Sequence, residues 1–236
     1  MTEYYNSDEV RKAISLLTDN SPYEIRIISN NGRVWSGYFK GADVMLKELS
    51  RNDLEGCNVY LTLNKMHEGC YCRIQRDHFI ECKGNNKNAP QTSENDIVAF
   101  RWLLVDLDPK RPSGISSSDD ELKHAKQLAL KVIDFMKSLG FENCIIALSG
   151  NGIHLLYRID ADATDENKNM ISDCLKAIDM NCSDEIVKID AVNFKKNQLC
   201  KLHGTLAQKG CNTSERPFRM SRIISLEELK EGVEDE

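Results

Sequence analysis

The chain has 236 residues, of which 41% are hydrophobic and 29% charged, and its net charge is −6. That size suits one large globular domain or two small ones, with a core that needs no staples. No apolar run is long enough to span a bilayer. The opening Met1-Thr2-Glu3-Tyr4-Tyr5-Asn6 lacks the basic and apolar regions of a secretory leader, so a cytoplasmic chain without membrane partners is expected. Nine cysteines, an odd number in a chain with no leader, argue for buried free thiols rather than a disulfide framework.

In chain order, residues 8–18 have helical patterning, with Ser7 as the expected N-cap. Residues 23–28 and 33–39 alternate as strands around Asn30-Asn31-Gly32, a strong hairpin signal. Residues 42–49 read as a helix and 59–63 as a strand, so 1–64 forms a small α+β unit. Residues 65–99 are polar, cysteine-bearing and aperiodic, and are expected to be mostly a long loop. A strand over 102–107 leads through the turn-rich Pro112–Ser118 to a helix over 119–139. Its stripe is Leu122, Ala125, Leu128, Ala129, Val132, Ile133 and Met136, and Gly140 is its stop. Strands over 144–148 and 153–159 flank Ser149-Gly150-Asn151-Gly152, and a second helix runs from about 165 to 178. The remainder to Arg222 reads as short strands and loops. Alternating strands and helices interrupted by hairpins indicate an α+β fold with a mixed sheet rather than a doubly wound parallel one. The expected division is an N-terminal α/β subdomain over 1–99, a core over 100–225 and an acidic tail over 226–236, together forming one domain.

The negative total hides a segregated distribution. Between Lys188 and Arg222 eight basic residues face only Asp190 and Glu215, whereas Glu227–Glu236 holds six acids and one lysine. A local basic patch can hold a polyphosphate or a nucleic-acid backbone whatever the total charge.

The chemistry concentrates in four places. In Leu103-Leu104-Val105-Asp106-Leu107-Asp108-Pro109 an apolar strand delivers two aspartates two residues apart, on one face. Paired carboxylates resist joint ionisation. A hard divalent cation removes that conflict, and Mg²⁺ is commonly held by one or two carboxylates together with substrate phosphates. A capping or turn role is the plainer alternative. In Ser149-Gly150-Asn151-Gly152-Ile153-His154 small residues permit a tight turn and close approach of a phosphate to backbone amides. His154 would look away from the buried Ile153 and Leu155, to donate a hydrogen bond or carry charge. An ordinary hairpin with a surface histidine is the competing expectation. Lys188-Ile189-Asp190 offers a third carboxylate, or a turn residue. Finally Lys201-Leu202-His203-Gly204-Thr205, Lys209-Gly210 and Arg216-Pro217-Phe218-Arg219 combine cations, a hydroxyl and glycines, the mixture that phosphate recognition uses.

In this order, the Leu-Val-Asp-Leu-Asp, Ser-Gly-Asn-Gly-Ile-His, Ile-Asp, Lys-Leu-His-Gly-Thr and Lys-Gly…Arg-Pro elements resemble the archaeo-eukaryotic primase superfamily. They are most similar to the primase-polymerase domains of phages and plasmids, over about residues 60–222. The resemblance implies a primase-polymerase fold with an RRM-like catalytic core. It makes Asp106, Asp108 and Asp190 the catalytic carboxylates for two Mg²⁺ or Mn²⁺ ions. It makes Ser149, Asn151, Gly152, His154, Lys201, His203, Gly204, Thr205, Lys209, Arg216 and Arg219 the nucleotide-binding set. The implied partners are a single-stranded DNA template and NTPs or dNTPs. Two positions depart from the pattern: Gln198 stands where related chains often carry arginine, and His203 where an aromatic residue or proline is commoner. The family's helicase and C-terminal primase domains have no counterpart, so a stand-alone enzyme or an excised catalytic domain is expected.

The function expected is template-dependent nucleotidyl transfer in replication of a mobile element. The alternative is a catalytically weak nucleic-acid-binding module that recruits a replicative helicase, and a metal-dependent nuclease ranks third. Zinc is a weaker expectation for Cys57, His67, Cys70, Cys72, His78 and Cys82, which lie within 26 residues but are spaced C-x-C rather than C-x₂-C.

Overall fold

Helix α1 (Ser7–Thr18) is followed by β1 (Tyr23–Ser29), β2 (Val34–Phe39), α2 (Ala42–Leu49) and β3 (Cys57–Thr62) in the computed structural model, which describes residues 4–83, 91–231 and 233. The short strands β4 (Lys65–Met66) and β5 (Ile80–Glu81) come next. Then come β6 (Ile97–Pro109), α3 (Asp119–Ser138), β7 (Ile145–Leu148), β8 (Ile153–Asp162), α4 (Asp165–Cys182) and β9 (Val187–Ile189). β10 (Leu199–Lys201), β11 (Leu206–Ala207), β12 (Arg219–Met220), β13 (Arg222–Ile224) and α5 (Leu226–Lys230) complete the chain.

Two sheets result. The first has the order β10-β3-β1-β2-β5; the second runs β13-β7-β8-β6-β4, with β9 also paired to β6. Every strand pair among the described residues is antiparallel, so the fold is α+β but its sheets are not mixed in direction. Within the second sheet, β6-α3-β7-β8-α4-β9 forms a β-α-β-β-α-β unit with spatial order β7-β8-β6-β9. Each helix carries the chain over the sheet, past a neighbouring strand, so that no adjacent pair is parallel.

Period-2 alternation along β6 assigns its residues to two cores. Leu103, Val105 and Leu107 pack beneath the apolar stripe of α3 and against Leu175 and Ile178 of α4. Trp102 and Leu104, on the other face, join Leu156 and the core that α1, α2 and the first sheet make from Val10, Leu17, Ile25, Met45 and Leu61. Asp106 and Asp108 continue that second face as the strand runs out from between the sheets.

The structure departs from the expected elements where short-range signals compete. Asn6, not Ser7, caps α1, its side-chain oxygen accepting from the Asp8 and Glu9 amides. The expected loop over 65–99 contains β4, β5, two 3₁₀ turns and the start of β6; residues 84–90 lie outside the described residues. Those strands are too short to show alternation, and β6 spans 13 residues because its N-terminal half pairs with β4 and the far end of β8. Strands cross the expected 99/100 division in both directions: β4 joins the second sheet and β10 the first. The segment read as the start of an acidic tail folds as α5, capped by Ser225, because Leu229 is buried in the α3 core. Residues 232 and 234–236 of that tail lie outside the described residues.

Candidate active site

β6, β8 and β9 meet where the three carboxylates lie. Asp106 is directly opposite His154 on β8, and Asp108 opposite Lys188 on β9. Asp190, one residue beyond β9, donates its backbone N–H to the Asp106 carbonyl at 3.0 Å. Its side chain also closes a turn by accepting from the Val192 amide, so the turn role and the place beside Asp106 coexist. Burial, then repulsion from Asp108 and Asp190, pushes the Asp106 carboxyl up to about 7. Arg111 Nη1 donates to Asp108 Oδ1 at 2.8 Å. Arg111 lies three residues beyond Asp108, and that nearness was the available signal for it.

Two cavities share Asp106, Asp108 and Lys209. The larger, about 410 Å³, is also lined by Lys110, Arg111, Lys188, Asp190 and the Pro112–Ile115 turn. The smaller, about 110 Å³, runs between the sheets and is lined by Asn58, Tyr60, Ser149, Asn151, His154 and Lys201 among others. Tyr60 was not among the expected site residues. Only the β10–β3 pairing sets it opposite Lys201, whose Nζ lies 5.8 Å from the ring centroid. Burial, then the charge of Lys209, lowers the Lys201 ammonium to about 7. His154 does look away from Ile153 and Leu155, but the first sheet covers that face, so it is buried and not the outward-facing or surface histidine expected; burial followed by Lys201 and Lys209 lowers its imidazole to about 4. It is therefore neutral near pH 7, suited to hydrogen bonding and not to carrying charge.

The remaining expected residues are engaged elsewhere. A Cβ on Gly152 would sit 2.2 Å from the Leu107 carbonyl oxygen, and one on Gly150 (φ +99°) 2.3 Å from the Ala207 Cβ. The small residues of this turn thus serve close packing of β6, β8 and β11. Asn151 Oδ1 accepts from the Ser117 amide, and Ser149 Oγ from that of Gly152. Thr205 is buried with its hydroxyl on the Leu202 carbonyl, and the Gly204 carbonyl accepts from the Asn6 amide at the start of α1. His203 is fully buried, its Nδ1 2.8 Å from Ser221 Oγ. Arg216 makes a paired contact with Glu121, and Arg219 binds Asp119 and the Ser117 carbonyl, so both pin the first turn of α3. Gln198 is turned to Asn193 and the Leu199 carbonyl. The thiols and imidazoles of residues 57–82 bring no three ligand atoms together among the described residues.

No protein-family model matches the chain. No curated protein matches it. Among solved structures it resembles the crystal structure of primase RepB', with a TM-score of 0.50 and 12% sequence identity over 93% of this chain and 56% of that one. The chain thus spans about half the length of that protein, and shares with it a primase-like α+β fold.

Proposed function

We propose that this chain is a primase-polymerase catalytic domain, transferring nucleotidyl groups from NTPs or dNTPs onto a 3′-hydroxyl paired to single-stranded DNA. The observation that carries this is the convergence of Asp106, Asp108 and Asp190 at the junction of two cavities whose other walls hold Lys110, Lys188, Lys201 and Lys209. A nuclease would need the carboxylates but not a cationic pocket of this extent. The β-α-β-β-α-β unit supports the RRM-like core, and the likeness to primase RepB' supports the fold class.

The carboxylates fit Mg²⁺ or Mn²⁺: a carboxyl held up to about 7 by burial and two neighbouring carboxylates is short of positive charge. Asp106, Asp108 and Asp190 would hold the cations, whose chemistry there would be to acidify the attacking hydroxyl and offset the triphosphate charge. The lysines offset phosphate charge as the leaving group departs. His154 presents a neutral imidazole to the phosphates, and Tyr60 an aromatic face beside them. Lys201 is held in place by donating to the Leu206 carbonyl.

The test is primer synthesis on single-stranded DNA with Mn²⁺ or Mg²⁺ and labelled nucleotides, with and without a primer. Wild type should give templated products, and Asp106→Ala/Asp108→Ala should lose at least about 10³-fold in rate, each ~1.4 kcal/mol of barrier being tenfold. Products only with a primer would make it a polymerase. Absence of product in both formats, with DNA binding retained, would overturn the enzyme reading and favour the catalytically weak binding module instead. That second function is favoured by one observation, that Gln198 supplies no cation to either cavity.

A further inference from the structure

Behind the carboxylates lies a cluster of which the proposed nucleotidyl transfer uses only His154. His154, Cys200 and His203 are all buried, and one ligand atom from each falls within 4.8 Å of the others. Cys200 Sγ is 3.5 Å from His154 Nδ1 and 3.9 Å from His203 Nε2. Zinc bound at its usual bond lengths in a tetrahedron sets nitrogen and sulfur ligands about 3.6 Å apart and two nitrogens about 3.4 Å apart, so both nitrogen–sulfur spacings match, and the nitrogen pair, within 4.8 Å, closes on the ion by small ring movements.

The hydrogen-bond chain decides which ring nitrogens are bare. Ser221 Oγ has one hydrogen and donates it to the Leu148 carbonyl at 2.8 Å. It must therefore accept from His203 Nδ1–H, which leaves His203 Nε2 as a lone pair aimed at the thiol. On the other side His154 turns Nε2 toward Asp106 Oδ1, 3.5 Å away. Facing ionised Asp106, the imidazole carries its hydrogen on that side, which leaves Nδ1 bare as well. Two lone pairs thus converge on one sulfur whose single hydrogen can satisfy only one of them. Ser221 and Asp106 stand where the outer partners of metal-bound histidines stand, on the nitrogen away from the ion.

We propose that His154 Nδ1, Cys200 Sγ and His203 Nε2 form a binding site for a soft transition-metal ion, Zn²⁺ foremost, distinct from the carboxylate site. Binding releases the thiol proton to solvent and puts the thiolate on the metal. Imidazole and thiolate select zinc over Mg²⁺, and three protein ligands leave a fourth coordination position. With Nδ1 on the metal, His154 is held as an Nε2–H donor facing Asp106. The site stands whether or not the carboxylates perform nucleotidyl transfer.

The experiment is to load the full chain, purified without chelator, with Co²⁺ and follow the thiolate-to-cobalt charge-transfer band. One equivalent should produce the band and Zn²⁺ should abolish it. Asp190→Asn should keep it and Cys200→Ser should lose it. Because Cys200→Ser could disturb the core, wild type is also titrated with Zn²⁺ in long-range ¹H–¹⁵N imidazole spectra. His154 and His203 should shift at one equivalent while His67, His78 and His124 stay put. No band at one equivalent, a band that survives Cys200→Ser in folded protein, or zinc shifts on the other three histidines would each overturn the site.

Discussion

Asp106 is a buried carboxyl beside two others, and its pH behaviour follows from burial and those neighbours. Its folded carboxyl lies near 7, against 3.8 in the ordinary case, because burial and then Asp108 and Asp190 oppose ionisation. A raised folded value means stability that is full below the unfolded value and lost as pH rises through about 7. Metal-free protein should therefore melt lower above that pH. Asp106→Asn should flatten the decline and raise Tm there by roughly 2–4 °C per kcal/mol of repulsion relieved, while abolishing incorporation. A thermal-melt series against pH checks this, and a variant that tracks wild type would refute it. Lys201 is shifted in the opposite direction. Burial and Lys209 lower its ammonium to about 7, so nucleotide affinity measured without metal should fall as pH rises past that value. Lys201→Arg, which stays charged, should hold its affinity, and equal losses in both proteins would exclude Lys201 as a phosphate contact.

Among the elements, the turn between β7 and β8 carries the tightest steric requirement. Gly152 presses on the Leu107 carbonyl, one residue from each of the two β6 aspartates. Gly152→Ala should cost about 1–3 kcal/mol from overpacking and displace β6 enough to reduce activity by more than the stability loss explains. Denaturant melts beside kinetics at low temperature separate the two effects. Asn-Gly patterning made the turn legible, but not why it is tight: that the turn is wedged between β6 and β11 is a matter of register. Arg216 and Arg219 teach the same lesson. Their basicity in a basic run suggested phosphate contact, yet Glu121 and Asp119 sit across from them in the first turn of α3. Pairing over some 100 residues leaves no short-range trace.

At the scale of the whole molecule, the two sheets are bound by apolar and ionic contacts. Trp102 of the second sheet donates its indole N–H to the Leu17 carbonyl and packs in the core of the first sheet. Glu24, wholly buried on β1, accepts from Arg26, Ser36, Thr62 and the Thr92 amide, so it ties the segment entering β6 to the first sheet. Breaking a buried ion pair from one side costs about 3–5 kcal/mol, and Glu24→Ala should lower stability by that amount at neutral pH. With Trp35 in the first sheet and Trp102 in the second, single-tryptophan variants should report one common melting transition. Separate transitions would mean that the sheets fold independently.

Local pattern alone determined much of this protein: the three long helices and the β1–β2 hairpin, because periodicity and turn chemistry act within a dozen residues. It determined, too, that Asp106 and Asp108 share a strand face, since alternation allows nothing else, and it named His154 as the residue looking away from Ile153 and Leu155. Only the tertiary structure decided that β10 crosses to the first sheet, carrying Lys201 to Tyr60 and Cys200 to His154. Only it decided that Asp190 lies beside Asp106, and that half of the basic set serves packing. Contacts of this kind depend on which strands neighbour one another, and strand order arises from burying two cores at once, a property of the whole chain that no single segment encodes.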